Sequence, residues 1–265
     1  MNYTQRFYQN ETDYAAMRQL IVESYAATTP HYYMTPGDLD WWYAMKDDPT
    51  TFMPSVPLWF DGAELVGYVW PAPGNADLLT HPAHRDLEPT LIEWAIANLP
   101  VAEKADEPPT LSIWSLESDT YRNELLAAAG FAPGPEFYAS FLWNLDSPPP
   151  TPALPEGYTL RSFAGEAEIE ERVAVHRSAF HPSKMTVAKH RNAMQSPTYR
   201  MDLDLVVVAP DASLAAYTIV WYDRINCSGL FEPVGVHADH RRKGLGSAVL
   251  YAGLRQLQAL GAKRA

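Results

Sequence analysis

The chain has 265 residues, 47% hydrophobic and 20% charged, the composition of a folded globular protein with one large domain or two ordinary ones. A formal charge of −12 and a sequence pI near 5.0 would repel a phosphate backbone, which argues against a nucleic-acid partner. There is no apolar run of roughly eighteen residues, as a membrane helix needs, and no basic start with an apolar core, as a signal peptide needs. The single cysteine, Cys227, rules out an intrachain disulfide and makes a reducing cytoplasm the expected compartment.

In chain order, residues 3–7 read as a strand and 12–25 as a helix, with Met17, Leu20, Ile21 and Tyr25 at helical spacing. The aromatic stretches His31-Tyr32-Tyr33 and Trp41-Trp42-Tyr43 follow, with core packing as their default role and an aromatic substrate pocket as the alternative. Residues 57–60 and 65–70 flank Asp61-Gly62 as a hairpin. His81-Pro82-Ala83-His84-Arg85 leads into a helix over 90–98; a strand over 111–115, a helix over 120–129 and a closing segment over 137–145 complete the first half. In 146–157, five of twelve residues are proline, which predicts a stiff, extended connector. The expected division is therefore 1–145, a linker over 146–157, and 158–265.

The second half repeats this order. A strand is expected over 158–163, a helix over 166–180 with Ile169, Val173 and His176 on one face, and a hairpin from 205–209 and 214–221. His237-Ala238-Asp239-His240-Arg241 then matches the earlier His81-Pro82-Ala83-His84-Arg85, which indicates a duplicated domain. Here an apolar strand over 231–236 runs into Arg241-Arg242-Lys243-Gly244-Leu245-Gly246-Ser247, which opens an amphipathic helix over 247–260. A helix N-terminus has unpaired N–H groups and the positive end of the dipole. Glycines let backbone amides approach an oxyanion, and the three cations add positive charge to an otherwise acidic chain. The order strand, basic triplet, paired glycines and helix thus points to a diphosphate.

Arg241-x-x-Gly244-x-Gly246 resembles the R/Q-x-x-G-x-G/A pyrophosphate loop of the GNAT superfamily of N-acetyltransferases, and strand 231–236 resembles the family's fourth strand, which pairs with a pantetheine arm. The resemblance covers nearly the whole chain and is to the tandem-domain group that includes mycothiol synthase-like enzymes. It implies an α/β fold of two tandem acyl-CoA N-acyltransferase domains, each a mixed central sheet flanked by helices. It also implies acetyl-CoA as co-substrate, held by Val234, Gly235, Val236, Arg241, Arg242, Lys243, Gly244, Leu245, Gly246 and Ser247, and a small-molecule or peptide amine as acceptor; no metal is expected. In the first half Asp86, Leu87, Glu88 and Thr90 replace Arg242, Lys243, Gly244 and Gly246, and Pro89 removes an N–H donor. That site is expected to be lost.

A family domain continues into a fifth strand, a further helix and a closing hairpin, whereas the second half reaches Ala265 where the fifth strand should begin. The expectation is an open edge along 231–236, met either by a dimer in which a second copy covers it or by a mobile C-terminus with weak activity. Glu232, expected on the same strand face as Val234 and Val236, is the candidate base for the amine proton, and the Val234 amide a candidate oxyanion donor. His237 reads mainly as a capping or packing residue, Asp202 and Asp204 as a solvated strand entrance, and Cys227 as a half-buried strand residue. A non-catalytic acyl-CoA-binding or scaffold protein is the alternative reading; aminoacyl transfer from tRNA is disfavoured by the acidic balance.

Overall fold

The computed structural model describes residues 2–28, 33–101, 110–135 and 137–265. Two compact units emerge, Met1–Met34 with Asp48–Ser140, and Thr35–Asp47 with Phe141–Ala265. Residues 35–47 and 141–145, which the sequence division assigns to the first domain, group with the second unit.

In the chain's first part the order is β1 (Thr4–Phe7), α1 (Glu11–Thr28), α2 (Pro36–Ala44), α3 (Pro49–Phe52), β2 (Pro57–Asp61), β3 (Glu64–Ala72), β4 (Asn75–Thr80), α4 (Glu88–Asn98), β5 (Ser112–Ile113) and α5 (Thr120–Ala128). All but α2 belong to the first unit. Its sheet runs β1-β2-β3-β4-β5, antiparallel up to β4 and parallel between β4 and β5. The predicted helical face of α1 is buried through Met17, Leu20, Ile21 and Tyr25, and α4 packs Leu91, Ile92 and Ala95 against Trp59, Val66 and Leu78. Strand β4 was not foreseen. Residues 137–145 form no strand of the first unit's sheet.

The second unit has β6 (Thr159–Ser162), α6 (Ile169–Ala179), α7 (Val187–Met194), β7 (Asp204–Val208), β8 (Leu214–Asp223), β9 (Ser228–Val236) and α8 (Leu245–Ala259), with sheet order β6-β7-β8-β9. These four strands are antiparallel. A parallel bridge, Ser228 to Arg264, continues the sheet beyond β9, at the place where β5 joins β4 in the first unit. Arg264 stands in the place of a fifth strand: its O accepts from Gly229 N–H at 2.9 Å, and on its far side Trp143 and Ala265 exchange two backbone hydrogen bonds at 2.7 and 2.9 Å. This covers Ser228 and Gly229 at the start of β9, outside the stretch 231–236 expected to be open. From Leu230 to Val236, β9 is paired on the β8 side only, among the described residues.

The duplication extends to individual side chains. Arg6 holds Asp13 with two hydrogen bonds of 2.7 and 2.6 Å and also donates to Phe7 O; Arg161 holds Glu168 at 2.7 and 2.6 Å and donates to Ser162 O. The Tyr3 hydroxyl meets His84 Nδ1 at 3.2 Å, and the Tyr158 hydroxyl meets His240 Nδ1 at 2.9 Å. His81 and His237 each cap the turn that follows, accepting from the N–H of Ala83 and of Asp239. The repeated histidine motif therefore shapes the chain between strand and helix.

Helix α8 covers one sheet face, with Val249 and Leu245 against Val207, Ala215 and Val236 and with Leu254 and Leu257 against Val220 and Phe231. On the other face lie α6, α7 and α2, whose Trp41 packs with Val173, Ile219 and Trp221. Contact between α8 and β9 is close at Gly253, where a Cβ would overlap the Phe231 ring and lie 2.8 Å from Val220 Cγ2. Gly253→Ala would gain about 1 kcal/mol of helix propensity, but overpacking costs about 1–3 kcal/mol. The expected net effect is a lower midpoint for the second unit in urea unfolding followed by tryptophan fluorescence.

Candidate active site

Strand β9 ends at Val236, His237 caps a short 3-10 turn at Ala238–His240, and the chain then makes a loop whose Arg242 (φ +63°) and Gly244 (φ +78°) are both left-handed. Alternating left-handed residues turn successive amides toward one side, which is an anion-binding geometry. Gly244 is the N-cap of α8 and offers no side-chain cap, and the first turn contains no acidic residue, so its amides remain available to an external acceptor. A Cβ at Gly244 would meet nothing within 4 Å, so the space in front of the helix is open and glycine there leaves it clear. The residues fit a diphosphate.

The cations have separate roles. Arg241 Nη2 donates to Ala179 O at the end of α6 (3.1 Å), and Ser178 Oγ accepts from Ala238 N–H (3.0 Å), so α6 fixes the loop. Lys243 Nζ donates to the Tyr158 hydroxyl at 2.8 Å. Arg242 is exposed and makes no hydrogen bond or ion pair among the described residues. Leu245 is buried beneath the loop, Ser247 is exposed, and Gly246 lies with its Cβ position 3.5 Å from Val236 Cγ2. Tyr158 as a brace escapes a reading of the loop alone; its pairing with His240, repeated by Tyr3 and His84, was the available signal.

The equivalent place in the first unit is filled from within. Glu88 is 1% exposed and accepts from Arg122 Nε and Nη2 at 3.1 Å, while Arg85 also binds it. Arg85 reaches Asp119 at 2.9 Å as well. A carboxylate of the chain itself thus sits at the start of α4, followed by Pro89. Tyr33 completes this cluster, donating to Asp119 Oδ2 at 2.7 Å beneath the Arg122 guanidinium; His31 and Tyr32 lie outside the described residues.

Glu232 lies in a β-bulge. Thr218 pairs with Val234 and Val220 with Phe231, so Glu232 and Pro233 together oppose Ile219. The extra residue reverses the expected alternation: Phe231, Val234 and Val236 all pack on the α8 side. Leu230 packs with Trp41 and Trp221, and Glu232, two residues on, is on that opposite face. The expectation that Glu232 shares a face with Val234 and Val236 is thus corrected. Trp221 Nε1 donates to Glu232 O at 2.6 Å and fixes the bulge. Gly235 lies against the Tyr217 ring and Ala179.

Burial, and secondarily the negative charge of Asp38 on α2, push the Glu232 carboxyl up to about 7. Asp38 is held by its capping box with Thr35, whose N–H donates to Asp38 Oδ2 at 2.6 Å, and burial raises its carboxyl too. Sequence reasoning missed Asp38; the Thr35-Pro36-Gly37-Asp38 box marks a helix start, but its neighbour lies almost two hundred residues on.

Other candidates fall elsewhere. Asp204 is not solvated: it is fully buried and bonded to Arg172 Nε at 3.1 Å, while Asp202 pairs with Arg200 at the surface. Cys227 sits in the turn before β9 with φ +50°, half-buried, not in the strand. Trp41 is core. Among the described residues no cluster of histidine, cysteine or carboxylates could hold a metal, and no helix is long and apolar enough to cross a membrane.

No family model matches the chain. It is 31% identical over 221 residues to the mycothiol acetyltransferase of Saccharomonospora viridis, across 75% of this chain and 69% of that one. It is 28% identical over 159 residues to the mycothiol acetyltransferase of Pseudarthrobacter chlorophenolicus, across 57% of this chain, and spans about half (49%) of that protein's length. A GCN5-related N-acetyltransferase from Sphaerobacter thermophilus superposes with a TM-score of 0.62 at 20% identity, covering 99% of this chain and 84% of that one. A tandem GNAT protein from the clavulanic acid biosynthesis pathway gives 0.51 at 16% identity, covering 99% and 88%. Fold and loop together define a GCN5-related N-acetyltransferase architecture, two α/β domains each with a mixed central sheet flanked by helices. The chain belongs to the tandem-domain group of the GNAT superfamily and resembles mycothiol acetyltransferase-type proteins at low identity.

The raised Glu232 carboxyl also has a consequence for stability. The folded chain keeps this proton up to about pH 7, whereas the unfolded chain releases it near 4.5. Stability is therefore lost as the pH rises between those values. Glu232→Gln removes the effect, so the melting temperature of the variant should match the parent near pH 4 and exceed it at pH 8.

Proposed function

We propose that the second unit transfers an acetyl group from acetyl-CoA to a primary amine. The observation that carries this is the uncapped start of α8, opened by left-handed Gly244 and flanked by cations, at one end of the strand whose bulge holds Glu232. Bound acetyl-CoA would supply the acetyl group as an activated thioester. The amides of Leu245, Gly246 and Ser247, with Arg242, would hold its diphosphate, and a charge-assisted hydrogen bond contributes about 1.5–3 kcal/mol.

Glu232 accepts the proton that the amine must lose, directly or through water. A base with a pKa near the working pH is the most effective, and burial supplies that value. The backbone N–H of Val234, directly after the bulge, is the donor assigned to the developing oxyanion. The acidic pair Asp38 and Glu232 favours an acceptor that arrives as a cation. The first unit, with Glu88 in the place of a phosphate, shapes the protein without binding a donor. An acyl-CoA-binding scaffold is the second reading, and a second copy of the chain is the partner to test for. Release of free thiol from acetyl-CoA across a panel of amines separates enzyme from scaffold, and sedimentation reads the oligomeric state.

Acetyl-CoA should raise the melting temperature of the parent and leave that of Gly244→Glu unchanged; an intact rise in the variant would move the donor site elsewhere. Glu232→Gln should lower kcat about 10²–10⁴-fold with acetyl-CoA affinity unchanged, and should abolish an acidic limb near pH 7 in the kcat/KM profile. Full activity in that variant removes Glu232 from the chemistry.

A further inference from the structure

The proline-rich segment after residue 145 is fastened to α8. Gln258 Nε2 donates to Leu145 O at 2.8 Å and Ser147 O at 3.0 Å, and Arg255 Nη1 donates to Pro149 O at 2.9 Å. Further along, Leu154 packs against the buried cluster of Val207, Ala209, Leu245 and Val249. The chain is anchored on both sides of 151–153, and proline limits its freedom between the anchors. Here it stands off from the helix and leaves a cleft of about 380 Å³, within the usual range of about 300–1,000 Å³ for ligand pockets.

One wall of the cleft is Thr151, Ala153, Leu154 and Pro155; the other is the outer face of α8, with Ser247, Ala248 and Tyr251, ending at Lys243 and Gly244. The Tyr251 ring is steadied edge-on by Trp143 at 6.2 Å. The cleft is thus a slot with apolar and aromatic sides, polar groups at Thr151, Ser247 and Lys243, and the candidate diphosphate loop at its end. A planar heteroaromatic base with apolar faces and polar edges, linked to phosphate, matches that chemistry. The other arm of the donor must reach Glu232, which lies on the α2 face of the sheet, whereas the slot opens on the outer side of α8.

We infer that the linker is a built wall of the donor site, and that the slot between residues 151–155 and Tyr251 seats the adenine nucleotide end of coenzyme A. This rests on the donor-site reading above and adds a binding role for a segment that otherwise only connects. Tyr251 supplies a stacking face, and Ala153 sets the width of the slot.

The test is calorimetric binding of two probes, coenzyme A and 4′-phosphopantetheine, which lacks the adenine nucleotide. Tyr251→Ala and Ala153→Gln, both neutral changes, should each weaken coenzyme A about tenfold, the scale of one base–aromatic contact, and leave phosphopantetheine affinity unchanged. Ala153 is exposed, so Ala153→Gln decides the matter if Tyr251→Ala proves unfolded by circular dichroism. Unchanged coenzyme A affinity in the folded variants, with binding lost in Gly244→Glu, overturns the wall while the donor site stands. Equal weakening of both probes also overturns it, since the slot would then act only through the loop. Coenzyme A bound by Gly244→Glu as tightly as by the parent would instead sink the donor site itself.

Discussion

The structure turns on what charge stands at the start of one helix in each half of the chain. An α-helix begins with several N–H groups that have no partner within it and with the positive end of its dipole, and the two halves of this chain differ in what they place at that end. In the first, Glu88 brings a carboxylate to the start of α4, and Arg85 and Arg122 neutralise it in a buried cluster. In the second, Gly244 brings nothing, and the loop is held open by contacts made on its outside, from Arg241 to α6 and from Lys243 to Tyr158. One start carries an internal, neutralised anion, and the other carries none. The repeated scaffold around them, down to the matching arginines of the first strands and the histidine caps, makes this contrast a change of a few side chains on a common frame.

The same economy governs Glu232. A carboxylate within an apolar sheet needs a site where it is neither fully solvated nor neutralised. The bulge supplies this by turning one residue of β9 away from the α8 core and toward α2, with the backbone fixed by Trp221. Arg172 and Asp204, also deep in this unit, show the other outcome: they are adjacent and bonded. No salt bridge or hydrogen bond is made by the Glu232 side chain among the described residues, which is why burial dominates its behaviour.

The loop was legible from the sequence because every feature that defines it is local. Strand, cations, glycines and helix follow one another within 231–260, and glycine at 244 announces a left-handed residue on its own. The repeat was legible because histidine and arginine recur in the same setting. Other features depended on what lies across the fold. Alternation along β9 placed Glu232 on the wrong face because an inserted residue leaves no mark in composition. Asp204 read as exposed because its partner, Arg172, is on another element. Helix α2 read as part of the first domain because its Trp41 finds Val173 and Trp221 only after the chain has completed another sheet. Residues 263–265 gave no strand signal of their own, being held by backbone bonds on both sides.

The placement of α2 has a consequence for how this protein is made. Asp40 accepts a 2.9 Å bond from Thr198 N–H, a partner 158 residues later. Pairings of such separation are late events in folding, since the long loop must close before the contact repays it. During synthesis, Trp41 and its neighbours leave the ribosome well before the sheet they belong to exists. Splitting the gene at the proline-rich segment would separate that helix from its sheet: the downstream fragment would lack Trp41 over Val173 and Trp221, and the upstream fragment would carry an unclaimed aromatic helix. The natural cut between the halves of this duplicated chain is therefore not a point in the sequence, and fragments made as though it were should be prone to aggregate.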